Sequence, residues 1–526
     1  MFSVFRRNKR VFTISIVMSL VTVVAALAIP FMTQKIFSHE SELNSKNILT
    51  LLGILLFNYV VQIIFIFFKE NFAVRFNRDN LGAFLEKLFH VRYDKMLKEG
   101  NSSLIDRLAS LSNTIYLFLM TDLNTFIASI LIIIGSLIFV FRENVLYGAL
   151  MFIMLPVTYF GYKALNKELT KRSMTLSQVA SRNFQDIRNI YENPDFLKQH
   201  ESFDGFGRLV DGKIRDIYVA HADINKFAGS VSRALGFLND FVQNGILILL
   251  SFQVATGKVQ IASLVLFTLV MNIYFSAVYN LNGVNLNYTN LKALRTFYQT
   301  DILGNQEDRE GLIPLQEPIQ TISFSSPEVQ LEDARFTYAV EDSFSTGDVV
   351  YVEGESGSGK STLIRSLLRV RETKGISVNG KDLNGVSIED MRARTAYVPQ
   401  QASIITATLR ENILVDTVKD SALDEKILSL PILEPILQTK TLDTDILKNG
   451  ENLSGGEKQR VAIARALMKD ADIYIFDEVT SNLDGESQEA FFESFIGNLK
   501  GKIVFIISHD EKVRRFANRT LKFETK

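Results

Sequence analysis

The sequence predicts a membrane all-α transmembrane domain of six helices followed by an α/β P-loop domain. Three observations predict it. Long uncharged apolar stretches crowd the first 300 residues, a Gly-rich GESGSGKS loop starts at Gly354, and the strand-like run IYIFD ends in an acid at Asp477. The reading divides the chain into a membrane part at 1–300, a linker at 301–324 and an α/β part at 325–526.

The membrane part comes first. The apolar stretches run from Val11 to Gln34, Ile48 to Phe68, Leu123 to Phe141, Val145 to Tyr162, Phe241 to Gly257 and Val259 to Leu291. Each approaches or exceeds the roughly 17 to 25 residues that a spanning helix needs. The first run is far longer than the roughly 7 to 15 apolar residues of a signal peptide, so it reads as a retained helix. Arg6, Arg7, Lys9 and Arg10 precede it, and the first, third and fifth loops are short and poor in Lys and Arg. By the positive-inside bias, the N-terminus and the α/β part lie in the cytoplasm of a multi-pass cell-membrane protein. Lys69 to Glu99 lacks Pro and contains only Gly82 as a breaker, so it extends the second span as a helix of about 30 residues, roughly 45 Å long. The sixth span is rich in amides, with Asn272, Asn280, Asn282, Asn285, Asn287 and Asn290 on more than one helical face. Such amides either bond neighbouring helices or line a wet pathway.

The α/β part carries the chemistry. Asp348 to Glu353 reads as a buried strand and Ser361 to Arg371 as the helix after a phosphate loop. In that loop Gly354, Gly357 and Gly359 let successive N–H groups face phosphates, and Lys360 reaches the β and γ oxygens while Ser361 ligates Mg²⁺. Ser356, Ser358 and Thr362 complete the expected nucleotide cradle. Asp477 is a second Mg²⁺ ligand, and Glu478 is placed to polarise the attacking water as general base. Gln400, in YVPQ, joins metal and water, and His509, in IISHD, bonds the γ-phosphate. This is an α/β P-loop ATPase domain, with ATP and Mg²⁺ as its cofactors.

Taken in order, Tyr338 in FTY, the phosphate loop, Gln400, LSGGEKQR, IYIFDE, SNLD and ISHD resemble the nucleotide-binding domain of ATP-binding cassette (ABC) transporters. LSGG is the family's most specific mark. The resemblance implies that Ser454, Gly455 and Gly456, with Glu457 beside them, clamp the γ-phosphate of ATP held by an opposite subunit. It also implies that Tyr338 stacks on adenine, that Asp484 couples two sites across an interface, and that the Gln400 segment meets the transmembrane domain. Short outer turns and long inner helices resemble the exporter type, in which short coupling helices end the internal loops; Gly100 to Leu111 and Tyr191 to Phe203 are the matching positions. The expected activity is ATP-driven export by alternating access of a peptide, amphipathic drug or lipid. Readings from other classes are a membrane sensor that dimerises on ATP without moving cargo and a soluble-type ABC ATPase acting on DNA or in translation.

Some positions depart from the family pattern. The gap between Tyr338 and Gly354 is several residues short, so a trimmed antiparallel subdomain beside adenine is expected. Leu447 and Lys448 stand where a Gly and an acid are usual. Little chain follows His509, so the family's C-terminal elements are expected to be largely missing, and no room is left for an N-terminal peptidase domain. Zero cysteine excludes disulfides and thiolate sites, and a net charge of -1 gives no reason to invoke nucleic acid. No internal repeat is present, so a second half-transporter is the expected partner besides membrane lipid and the cargo. Intact Glu478, Gln400, His509 and LSGG favour two identical copies over a heterodimer. Lys-, Asn- and Phe-rich, Trp-free composition suggests a bacterium.

Overall fold

A computed structural model describes residues 9–37, 45–191, 194–200, 203–331, 334–355, 357–415, 421–479 and 499–523. The chain divides into two compact units, residues 1–89 with 102–304 and residues 90–101 with 305–526.

The first unit is helical. Its helices are α1 (Lys9–Phe37), α2 (Ser45–Phe89), α4 (Asn101–Glu143), α5 (Val145–Tyr191), α7 (Asp204–Ala255) and α8 (Ile261–Phe297). Two short helices interrupt the series, α3 (Tyr93–Glu99) and α6 (Pro194–Lys198). Among the described residues six helices are long and apolar enough to cross a membrane. Pro30 and Pro156 lie inside α1 and α5, where each removes a backbone donor. Just past each proline a threonine bonds back to its own helix, Thr33 donating to Ile29 O and Thr158 to Met154 O, both at 2.8 Å. The core forms where α4, α5, α7 and α8 meet, around Met151, Leu250, Leu266 and Tyr274. Tyr274 is fully buried, and its hydroxyl meets its need by donating to Met151 O at 2.7 Å. A π turn, Phe118–Asp122, breaks the α-helical ladder of α4.

Two sequence expectations change here. The second span's helix stops at Phe89, not Glu99, and the short helix that follows is Tyr93–Glu99. Gly100, with φ 75, ends that helix, and residues 101–111 are the start of the long α4 and not a separate short helix. Residues 90–101 group with the second unit because His90 O accepts from Glu307 N, Arg92 N donates to Asn305 O, and Val91 pairs with Gln306.

The second unit holds two main sheets. One is antiparallel, with β1 (Thr321–Leu331) between β2 (Ala334–Thr337) and β5 (Thr373–Val378), β6 (Lys381–Asp382) beyond, and β3 (Glu341–Ser345) also on β1. The antiparallel subdomain is therefore present with five strands. β1 begins inside the expected linker, since Leu315, Ile319 and Ile322 are all buried in this unit's core. The other sheet is parallel. Its order is β12 (Arg519–Lys522), β4 (Val349–Glu353), β11 (Ile503–Ile507), β10 (Ile473–Asp477), β7 (Thr395–Val398). β10 and β11 are buried at every position, as continuous apolar runs in a covered parallel sheet require. One strand after His509, β12, thus does remain and pairs with β4.

Candidate functional site

Parallel pairing brings the motifs together. Phosphate loop, Asp477, Gln400 and His509 each follow the carboxyl end of a strand, and in register Asp477 lies beside Ile507 while Ile507 lies beside Val352. Ligands of open α/β sheets bind at this edge.

The loop's backbone demands glycine at Gly359. Its φ is 83, and a Cβ there would come within 2.5 Å of the Tyr338 hydroxyl. Helix α9 (Lys360–Arg365) follows, then one 3₁₀ turn to Leu368, so the helix is shorter than the expected Ser361 to Arg371. The reason is local. Ser366 Oγ donates back to Thr362 O at 2.9 Å, Arg369 adopts φ 53, and its guanidinium is drawn off to Val386 O and Asn384 O.

Lys360 is only 6% exposed and donates to Gly354 O and Glu355 O, both at 2.7 Å. Burial lowers its pKa, opposed by the charges of Glu478 and Asp477. Ser361 Oγ donates to Asp477 Oδ1 at 2.6 Å. The other carboxylate oxygen of Asp477 accepts from the Tyr397 hydroxyl at 2.8 Å and faces Arg365 at 3.4 Å. Burial, then the Asp477 charge, raises the Tyr397 pKa, which keeps that phenol a donor. Glu478 has φ 54 and is fixed by its N–H to Ile507 O at 2.8 Å. Its carboxylate accepts from Gln400 Nε2 and lies 3.2 Å from His509 Nε2. Glu478, Gln400 and His509 thus form one cluster, and Lys360, Ser361 and Asp477 another beside it.

The LSGG stretch has its own network. Ser454 is the N-cap of α10 (Gly455–Met468) in a capping box: Glu457 N donates to Ser454 Oγ at 3.2 Å and Ser454 N to Glu457 Oε2 at 2.7 Å. Lys440 Nζ holds the other Glu457 oxygen at 2.9 Å. Ser454 and Gly455 are exposed and Gly456 half-buried. Among the described residues no hydrogen bond joins this network to Lys360 or Ser361; Gln459, one turn on, donates to Pro399 O at 3.3 Å, next to Gln400.

Tyr338 is 9% exposed, packed edge-on to Phe523 with ring centroids 5.7 Å apart. Its ring lies in the core and its hydroxyl is 3.4 Å from Gly359 O, so it offers no free face for adenine in this arrangement. Ser358 keeps a buried hydroxyl without a partner, and Gly357 has φ 81. Ser356 and Asp484 lie outside the described residues. Sequence reasoning missed Tyr397, Arg365, Lys440 and Gln459. Tyr397 sat in the YVPQ run, and Arg365 is four residues after Ser361, on the same helical face; nothing marked Lys440.

The residues fit a hard divalent cation. A hydroxyl and a carboxylate oxygen already share one point, and oxygen donors of this kind suit Mg²⁺ beside phosphates. Among the described residues no group of three or more His, Cys, Asp or Glu is placed to hold a metal without such help.

Comparisons with known proteins agree with this geometry. The family described as ABC transporter matches residues 339–481. A Rickettsia bellii protein described as an export ATP-binding/permease protein is 28% identical over 78% of this chain and 73% of its own length. An ATP-dependent lipid A-core flippase of Desulfotalea psychrophila is 27% identical over 69% of this chain and 64% of its own. The solved structure of a bacterial Atm1-family ABC exporter with ATP bound shares the fold, with a TM-score of 0.81 at 18% identity over 99% of this chain and 94% of that one. Six membrane-length helices among the described residues, followed by a domain that matches the ABC transporter family over residues 339–481, give the chain the make-up of an exporter-type half-transporter that couples ATP hydrolysis to transport.

Proposed function

We propose that two copies of this chain form an ATP-driven exporter of the cell membrane that works by alternating access, with N-terminus and nucleotide-binding domain in the cytoplasm. The sequence reading of residues 1–300, 301–324 and 325–526 is kept in outline, with the last domain reaching back through the linker to residue 305 and taking in residues 90–101. The observation that carries the reading is the paired cluster at the sheet edge, Ser361–Asp477 beside Gln400–Glu478–His509.

ATP phosphates recruit Lys360 from the Gly354 and Glu355 carbonyls and settle on the N–H groups of Gly357 to Thr362. Ser361, Asp477 and Gln400 would hold Mg²⁺, which offsets phosphate charge. Glu478 takes a proton from the attacking water, and Gln400 and His509 orient carboxylate and γ-phosphate. Ser454, Gly455 and Gly456 cap the γ-phosphate bound to the other copy. Asp484 couples the two sites, and Tyr338 must leave Phe523 to meet adenine. The segment at α3 carries the movement: Arg371 grips Asp94 through two nitrogens, at 2.9 and 2.7 Å, with its guanidinium over the Tyr93 ring. Cargo is a peptide, amphipathic molecule or lipid; relatives are described as a lipid A-core flippase and as a β-(1→2)glucan exporter.

A complementation experiment tests the shared site. Lys360→Ala and Ser454→Arg chains are each inactive alone, yet a mixed dimer rebuilds one intact site and regains ATPase activity. Failure of the mixture, with heterodimer formation verified by tagged pull-down, overturns the reading that Lys360 of one chain and Ser454 of the other share a site; absence of any pull-down between tagged chains overturns the two-chain reading itself.

A further inference from the structure

The membrane unit holds one buried carboxylate that the ATPase chemistry does not use. Asp122 is 7% exposed and is the only acidic or basic residue among the buried polar residues described in this unit. Among the described residues its only hydrogen bond comes from Asn287 Nδ2, at 2.8 Å, and it has no ion-pair partner. A buried charge without a counter-charge is costly, and Asp122 stands directly before Leu123, at the inner end of the third span, where a polar solute would enter from the cytoplasmic side.

Three features surround it. Asp122 closes the π turn of α4, and such turns gather at functional sites because they shift one residue out of the helical ladder. Phe118, at the other end of that turn, and Tyr288, next to Asn287, form a tilted aromatic pair with centroids 5.6 Å apart. A carboxylate beside aromatic faces is the chemistry that holds an ammonium group. From Asn287 an uncharged polar stripe then climbs one face of α8.

That stripe is Asn272, Ser276, Asn280, Asn287 and Asn290, spaced by threes, fours and sevens, so helical geometry aligns them. All five are exposed, whereas Met271, Tyr274, Phe275 and Val278 on the other face are buried. Asn282 and Asn285 fall off the stripe, and Asn282 merely donates to Val278 O of its own helix. Near the stripe's far end, Asn272, Ser276 and Asn280 line a cavity of about 310 Å³ with Ile132, Ile273 and Ala277. Gln243 of α7 adds its amide to Asn272 at 2.6 Å. From Asn287 to Asn280 the helix rises roughly 10 Å. A ligand spanning both points meets an anionic end with aromatic walls and then amides interleaved with aliphatic side chains.

We propose that Asp122, with Asn287, Phe118 and Tyr288, is the subsite for the ammonium group of the cargo, and that the cargo is a short peptide with a free amino terminus whose backbone amides pair with the α8 stripe. Amides beside aliphatic walls suit a peptide better than a sugar, which takes aromatic platforms along its length. This rests on the export reading above and narrows it.

The test uses the full chain in inverted vesicles, with a short apolar peptide amide bearing a free N-terminal amine and its N-acetylated twin. ATP-dependent uptake favours the free amine by about tenfold or more in KM, as one charge-assisted contact allows. Asp122→Asn, which keeps the size and an acceptor for Asn287, erases that preference while uptake of the acetylated peptide and basal ATPase stay within twofold. Asp122→Glu retains the preference. Because a folding fault would lower both peptides alike, the ratio is the readout, and wild-type protein adds a second: the free-amine peptide raises the melting temperature and the acetylated one does not. An unchanged ratio in Asp122→Asn, uptake of neither peptide, or better uptake of a neutral oligosaccharide overturns the peptide-ammonium subsite. ATPase activity with no ATP-dependent uptake of any solute overturns the export reading instead.

Discussion

Replacing Glu478 by Gln isolates the base from its surroundings. The backbone stays where it is, because Glu478 N is tied to Ile507 O at 2.8 Å and φ is held at 54. In the cluster, a glutamine still accepts from Gln400 or from His509 through its carbonyl but turns an NH₂ toward the other, so about one hydrogen bond is lost, roughly 1 kcal/mol. Loss of the proton acceptor removes far more, about 10² to 10⁴ in rate. At 1.36 kcal/mol per decade that is about 3 to 5 kcal/mol, several times the structural cost. kcat for phosphate release therefore falls at least a hundredfold while ATP affinity changes by only about fivefold. The assay pairs steady-state phosphate release with binding of a fluorescent ATP analogue to the purified full chain. A variant that keeps more than a tenth of wild-type kcat refutes the base assignment; one that loses ATP binding in step with kcat shows that Glu478 acts by holding the site together.

Two further outcomes follow from the same neighbourhood. Tyr397→Phe deletes the 2.8 Å hydroxyl bond to Asp477, a contact to a charged group worth about 1.5 to 3 kcal/mol; amide exchange of β7 and β10 accelerates correspondingly, and unchanged exchange would mean that Ser361 and Arg365 alone fix the carboxylate. For Glu457, burial on its own would raise the pKa, but bonds from Lys440 and from Ser454 outweigh it and hold the carboxyl below its ordinary 4.5. The unfolded chain then binds more protons than the folded one, so this contribution is complete above about pH 4.5 and is lost as pH falls through the lowered native value. Acid unfolding of Glu457→Gln should match wild type at low pH and fall short of it above pH 4.5; parallel curves throughout would contradict the assignment.

The site's outline was legible because strand ends are legible. In an all-parallel sheet every buried apolar run delivers its next residue to one edge, so Gly354, Asp477, Gln400 and His509 could be grouped without coordinates. Contacts made at a distance were not legible. Tyr338 looked like an adenine platform, but whether its ring is free depends on Phe523, far along the chain, packing against it. Helix α9 ends early because the Arg369 side chain finds carbonyls at Asn384 and Val386, which periodicity does not register. The short helix between the second and third spans was placed one element too late because Gly100 reads equally well as a helix start or as a helix stop. In α8 the amides seemed scattered until the buried face, set by Tyr274 and its neighbours, divided those on the stripe from those off it.

Nucleotide binding at this edge is an exchange of partners more than a filling of free donors. Lys360 already has two carbonyl acceptors, Ser361 has a carboxylate, and that carboxylate has a phenol and a guanidinium besides. Phosphates gain only the difference between what they offer these groups and what the loop offers now, so the net affinity stays modest although each contact is strong. The Glu478 cluster differs, since Gln400 and His509 contact its carboxylate directly, while toward Lys360 that carboxylate acts through its charge. Among the described residues the Ser454 cap, bonded to Glu457 with Lys440 on that carboxylate's other oxygen, forms a network of its own, and its exposed helix N-terminus leaves donors that suit the γ-phosphate of another chain in the proposed dimer.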